Sequence, residues 1–193
     1  MSWTAPRTWV TGEVVTSSLF NTHIRDNQLS SEHPHGSVET SEQGPSNTTT
    51  ETSLFGTTPT IAASDISATG TYTCFMLGRA RQGTTSSLTW RWRVKLGATT
   101  VLDTTAIAGG AATATEVQFR LECIIQNLDS ESSQRVFLHM QHNGQYVYQP
   151  FLHGTSAVAT TSSLVFDITL QLGTAGANDY LLKQYSTQSI RRN

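Results

Sequence analysis

Between Ser87 and Leu96 the chain alternates with period two: Leu88, Trp90, Trp92, Val94 and Leu96 fall on one face, and Thr89, Arg91, Arg93 and Lys95 on the other. Only a β-strand with one face in a core and one in water presents residues in that way. The pattern recurs in Glu116–Gln126, where Val117, Phe119, Leu121, Cys123 and Ile125 face in and Gln118, Arg120 and Glu122 face out. It recurs again in Ser163–Leu172, with Leu164, Phe166, Ile168, Leu170 and Leu172 inward. Thr71–Leu77, Thr100–Thr104, Arg135–His142, Gln145–Phe151 and Tyr180–Ser189 complete eight predicted strands. Asn143-Gly144, the strongest short hairpin signal, lies between two of them, and Gly109-Gly110, Asp129-Ser130, Gly154 and Gly173 read as further turns.

One apolar and one polar face per strand excludes a parallel sheet covered on both sides, and no helix-period segment intervenes to build a doubly wound fold. The expectation is an all-β, antiparallel β-sandwich, jelly-roll-like, with an immunoglobulin-like arrangement as the alternative. Composition agrees. Of the 193 residues, 31 are threonine and 21 serine, against two lysines, and β-branched threonine suits a half-exposed pleated surface.

The chain reads as three parts: 1–30, 31–69 and 70–193. In the first, Thr16 offers a helix N-cap, followed by Leu19, Phe20 and Ile24 as one apolar stripe. A helix of about a dozen residues is too short to stand alone in water. With Trp3 and Trp9 these residues form a candidate anchoring and assembly surface. The second part is rich in Ser, Thr, Gly and Pro, has five acidic residues (Glu32, Glu39, Glu42, Glu51, Asp65) and no Lys or Arg. It reads as an extended acidic arm or linker, ordered only where it lies on a neighbour. The third part is the sandwich.

A formal net charge of −2 excludes a general nucleic-acid binder. No apolar run is long enough for a membrane-spanning helix, and the first residues lack the apolar stretch of a secretory leader. There is no GxSxG, no HExxH and no phosphate loop, so the expectation is a non-enzymatic protein without cofactor or metal. His33-Pro34-His35 is the one metal-like feature, and a polar loop accounts for it as well. Arg91, Arg93 and Lys95 form a candidate docking face for an acidic partner, such as the arm of a neighbouring subunit. A plain solvated face is the competing reading. Tyr146 and Tyr148 are candidate ligand contacts, while Trp90 and Trp92 share the core face. Cys74 and Cys123, each inside a strand, read as buried thiols or as one disulfide.

Two stretches carry a resemblance. Trp3-Thr4-Ala5-Pro6-Arg7-Thr8-Trp9-Val10-Thr11-Gly12-Glu13-Val14-Val15-Thr16, continuing through Leu19 and Asn21–Asn27, resembles the opening of tailed-bacteriophage virion proteins. Leu88–Thr104 is similar to the RFRVKLGGTTVLDT segment of phage β-sandwich proteins. The resemblance implies a virion structural protein, a symmetric oligomer such as a homotrimer, anchored by its N-terminal segment with the sandwich displayed on the outer surface of the particle. A capsid decoration (cement) protein bound to the capsid protein is the first form this takes. The second is a tail-fibre or receptor-binding protein that joins other tail proteins and contacts host surface glycan.

Overall fold

The computed structural model describes residues 11–12, 14, 16–21, 40–83, 89–108, 113–142, 152–176 and 179–191. The chain divides into two compact units, Met1–His35 and Gly36–Asn193. The first contains the helical turn α1 (Ser17–Phe20). Thr16 caps it as expected: its backbone is extended and its hydroxyl accepts from Leu19 N–H at 3.3 Å. The remainder of the predicted helix, Ile24 included, lies outside the described residues.

The second unit contains β1 (Thr52–Ser53), β2 (Thr60–Ile61), β3 (Thr71–Gln82), β4 (Thr89–Leu96), β5 (Thr99–Asp103), β6 (Ile107–Ala108), β7 (Thr113–Asn127), β8 (Gln134–His142), β9 (Leu152–Ser156), β10 (Leu164–Leu172) and β11 (Tyr180–Arg191). A six-stranded sheet runs β1-β10-β4-β5, with β2 also on β10 and β6 also on β4. The five-stranded sheet runs β11-β3-β7-β8-β9. Every pairing is antiparallel. The fold is the antiparallel sandwich that alternation predicts. In β4, Trp90, Trp92, Val94 and Leu96 are buried while the residues between them are not.

The two sides of the sandwich are closed differently. On one side the edge strands β5 and β9 meet. A Cβ on Gly154 would stand 2.5 Å from the Val101 carbonyl oxygen, so the approach requires glycine. Gly154 is therefore a strand residue chosen for contact and not the turn its composition suggested. The predicted strand Gln145–Phe151 and the Asn143-Gly144 and Gly109-Gly110 turns lie outside the described residues. Asp129 does turn the chain, at φ 55°.

On the other side the closure comes from residues 40–69. Gln43 and Lys183 exchange backbone bonds of 3.0 and 2.8 Å, and Asn47 N–H donates to the Asp179 carbonyl at 2.9 Å. The chain then passes to the second sheet, where Leu54 N–H donates to the Ile168 carbonyl and Phe166 N–H to the Pro59 carbonyl, both at 2.9 Å. Leu54, Phe55, Ile61 and Ile66 are all buried. The Phe166 ring lies 5.8 Å from that of Phe55 and 4.8 Å from that of Tyr72, joining this segment to both sheets. So residues 40–69 are not a free arm awaiting a neighbour. Four apolar side chains and a backbone satisfied by β10 and β11 fix them onto their own domain, which makes 70–193 an incomplete sandwich.

Candidate functional site

The predicted basic stripe lies on the outer face of the six-stranded sheet, because Arg91, Arg93 and Lys95 alternate with the core residues of β4. Antiparallel pairing places Asp103 opposite Arg93 from one side and Asp167 opposite Lys95 from the other. Arg91 grips Asp103 with two bonds, Nε–Oδ1 at 2.8 Å and Nη2–Oδ2 at 2.6 Å. Arg93 adds Nε–Oδ2 at 3.2 Å. The third partner is Glu51, from the acidic segment of the same chain. Its two carboxylate oxygens accept from Arg93 Nη1 and from Lys95 Nζ, each at 2.5 Å, and the Thr169 hydroxyl donates to it at 2.6 Å. Ser53 Oγ donates to Asp167 Oδ1 at 2.7 Å.

The electrostatics follow from these contacts. Hydrogen bonding from Arg91 holds the Asp103 carboxyl below its ordinary value. Burial alone would raise Glu51, but the bonds from Lys95 and Thr169 overcome it and the net shift is downward. Asp167 is displaced upward, chiefly by burial. The stripe does meet an acidic segment, as its charge suggested, but the segment is intramolecular. As a docking face for a neighbouring subunit's arm, Arg91, Arg93 and Lys95 are already engaged.

A second cluster fixes the same segment to the outer face of the five-stranded sheet. Arg79 reaches Glu42 through Nε at 3.0 Å and Nη2 at 3.1 Å, and Glu116 through Nη1 at 2.7 Å. Tyr180 donates its hydroxyl to Glu116 at 2.6 Å and lies under the Arg79 guanidinium, 5.4 Å from ring centre to Cζ. Hydrogen bonds lower both carboxyls, from Arg79 at Glu42 and from Tyr180 at Glu116. Chemically both clusters hold ionised carboxylates against cations.

A pH dependence follows. Asp103, Glu51 and Glu42 have depressed folded values, so their contribution to stability is complete above the unfolded carboxylate range, about pH 4. It is lost as pH falls from about 5 toward the folded values. Asp167 acts in the opposite sense. We expect Glu51→Gln to melt a few degrees below the parent at pH 7, with the gap narrowing as pH is lowered to 3, in thermal unfolding followed by circular dichroism. An equal deficit at both pH values would mean that the Glu51 charge plays no part.

The other predicted site residues divide in two. Leu19 is half-buried, Phe20 is 49% exposed, and Val14 is exposed as well. Trp3, Trp9, Ile24, His33, His35, Tyr146 and Tyr148 lie outside the described residues. Among the described residues no group of three His, Cys, Asp or Glu could hold a metal, and no helix is long and apolar enough to cross a membrane.

Sequence reasoning passed over one surface. On the outer face of the five-stranded sheet, register brings Tyr185 beside Leu77, and Ile124 beside Phe137. Phe75 lies on the same face, with Arg120 over its ring at 5.0 Å. Leu77 is 42% exposed. The signal was available: Phe75 and Leu77 alternate with Cys74 and Met76, so β3 is apolar on both faces.

No protein-family model matches the chain, and no curated protein matches it. Among solved structures it is similar to the CBM2 module of the evolved Dit of Lactobacillus casei BL23 phage J-1, at 13% identity, 78% of this chain and 76% of that one, with a TM-score of 0.36. It is also similar to lectin I from Ulex europaeus, at 11% identity, 84% and 94% coverage and a TM-score of 0.39. Arcelin-5 from Phaseolus vulgaris follows at 9%, 83% and 94%, with a TM-score of 0.35. Likenesses this remote carry no argument about what the chain does, and the sandwich assignment rests on its own strand pairing.

Proposed function

We propose that this chain is a non-enzymatic structural component of a tailed-bacteriophage particle, a capsid decoration protein that sits on the outer shell as a symmetric oligomer such as a trimer. The observation that carries the reading is the division into two units. The N-terminal unit presents Phe20 and Val14 to solvent around a capped helical turn, within the segment that resembles the opening of phage virion proteins. The sandwich balances its own basic stripe internally. A separate anchor and a self-contained displayed domain suit attachment by many weak contacts repeated by symmetry.

A second reading, a tail receptor-binding protein, is favoured by the outer face bearing Phe75, Leu77, Phe137 and Tyr185, since aromatic rings offer stacking surfaces to sugars. Copy number in purified virions, by quantitative mass spectrometry against the major capsid protein, separates the two. Hundreds of copies support decoration, a few to a few tens place the protein on the tail, and none removes both readings. The anchor has its own test. Phe20→Asp is expected to abolish attachment to particles while leaving the sandwich melting transition unchanged, and normal attachment of this variant would overturn the role of Phe20.

A further inference from the structure

The two cysteines are directly opposed across the β3–β7 pair, Cys74 against Cys123. Both are fully buried and both are free thiols. Directly opposed residues of an antiparallel pair point to the same face, and here that face is the core, in a row that runs Gln188, Cys74, Cys123, Leu138. Their Cα atoms stand about 4.5–5.5 Å apart in such a ladder, inside the roughly 4.4–6.8 Å that a disulfide spans. The chain has two cysteines in all, so no other intramolecular pairing exists.

We propose that Cys74 and Cys123 form a latent covalent staple, a disulfide between two inner strands of the five-stranded sheet, made by exchange with a small-molecule disulfide such as oxidised glutathione. In the first step the thiolate of one cysteine attacks the glutathione disulfide, forming a mixed disulfide and releasing one glutathione thiolate. In the second, the thiolate of the other cysteine attacks the protein sulfur of the mixed disulfide and releases the second glutathione. Two protein thiols are oxidised, one glutathione disulfide is reduced to two thiols, and the two protons pass from cysteine to glutathione.

The folded sheet withholds the reagent and the reactive form together. Neither sulfur is open to solvent, and burial pushes both thiols well above their ordinary range. Exchange therefore needs β3 and β7 to part. A chain folded in a reducing compartment keeps its dithiol, and one that opens in an oxidising medium closes again with its strands joined. The closed loop of about 50 residues then constrains the unfolded chain.

The test uses the full chain in two arms. Unfolded in denaturant and refolded with oxidised glutathione, it is expected to recover its sheet spectrum, show no titratable thiol and weigh two hydrogens less than the reduced chain. Its thermal midpoint should rise by about 5 °C or more. Kept folded in the same glutathione mixture, it should retain both thiols over a time that suffices for the refolding arm. The double variant Cys74→Ala with Cys123→Ala, which keeps small apolar groups in the core and leaves no thiol for glutathione to cap, should refold with the same midpoint in reduced and oxidised buffer. Recovery of chains carrying two glutathiones, or of disulfide-linked multimers in place of the monomeric disulfide, would overturn the staple. Equally fast oxidation of the folded protein would overturn the requirement that the sheet open.

Discussion

A chain of residues 70–193 alone is expected to lack a cooperative unfolding transition, whereas one of residues 36–193 retains it. The eight strands predicted from alternation all fall within 70–193, so by pattern alone that segment is a complete domain. The structure shows what it lacks. Leu54, Phe55, Ile61 and Ile66 are at most 5% exposed, and they cover the side of the sandwich opposite the β5–β9 contact. Removing a buried aliphatic or aromatic side chain costs roughly 2–5 kcal/mol, and a domain has about 5–15 kcal/mol in all. Loss of four such groups, with the backbone bonds to β10 and β11, is as large as that whole reserve. A milder variant makes the same point without truncation: Leu54→Ala in the full chain should lower stability by about 2–4 kcal/mol in urea unfolding. If residues 70–193 melt cooperatively at the temperature of the longer chain, residues 40–69 are an appendage after all.

The contrast explains which parts of the fold were legible. β4 declares itself because ten consecutive positions alternate, and the fate of Trp90, Trp92 and Arg91 follows from that alternation alone. β1 and β2 have two residues each, too few for any period. What holds them is not local. It is the unfilled pairing positions on β10, more than a hundred residues away, which no reading of 40–69 by itself can supply. Average composition misled for the same reason. A segment rich in Ser and Thr is not disordered if its few apolar residues all meet one core. Glu51 shows the limit for the charged sites, since it is one of five acids in the segment and only the fold brings it to Arg93 and Lys95. In β11 the register shift between Lys183 and Tyr185 changes parity. Strict alternation therefore assigns half of that strand to the wrong face, and Lys183, Ser186 and Gln188 turn out to be buried. Lys183 accordingly runs inward, its ammonium 5.9 Å from the Phe55 ring.

Asn127→Leu is expected to destabilise the protein by about 3–4 kcal/mol, more than most single substitutions. Asn127 and Gln134 face each other across β7 and β8 and are almost wholly buried. The Asn127 amide nitrogen lies 2.9 Å from the carbonyls of Ile66 and Ser67 and 3.0 Å from the Thr160 hydroxyl. Its oxygen accepts from Gln134 Nε2 at 3.1 Å, and Gln134 Oε1 in turn accepts from Val158 N–H at 3.0 Å. One pair of amides therefore ties three separate stretches: the end of the 40–69 segment, the β7–β8 turn and the connection from β9 to β10. Leucine is nearly isosteric but can satisfy none of these groups, and each polar atom left buried without a partner costs about 1–3 kcal/mol. Changing both residues, Asn127→Leu with Gln134→Met, removes donor and acceptor together. The double variant should then lose clearly less than the sum of the two singles, a coupling that urea midpoints on the four chains would measure. Additive losses, or an Asn127→Leu protein within about 1 kcal/mol of the parent, would mean that the stretches are held by apolar packing alone.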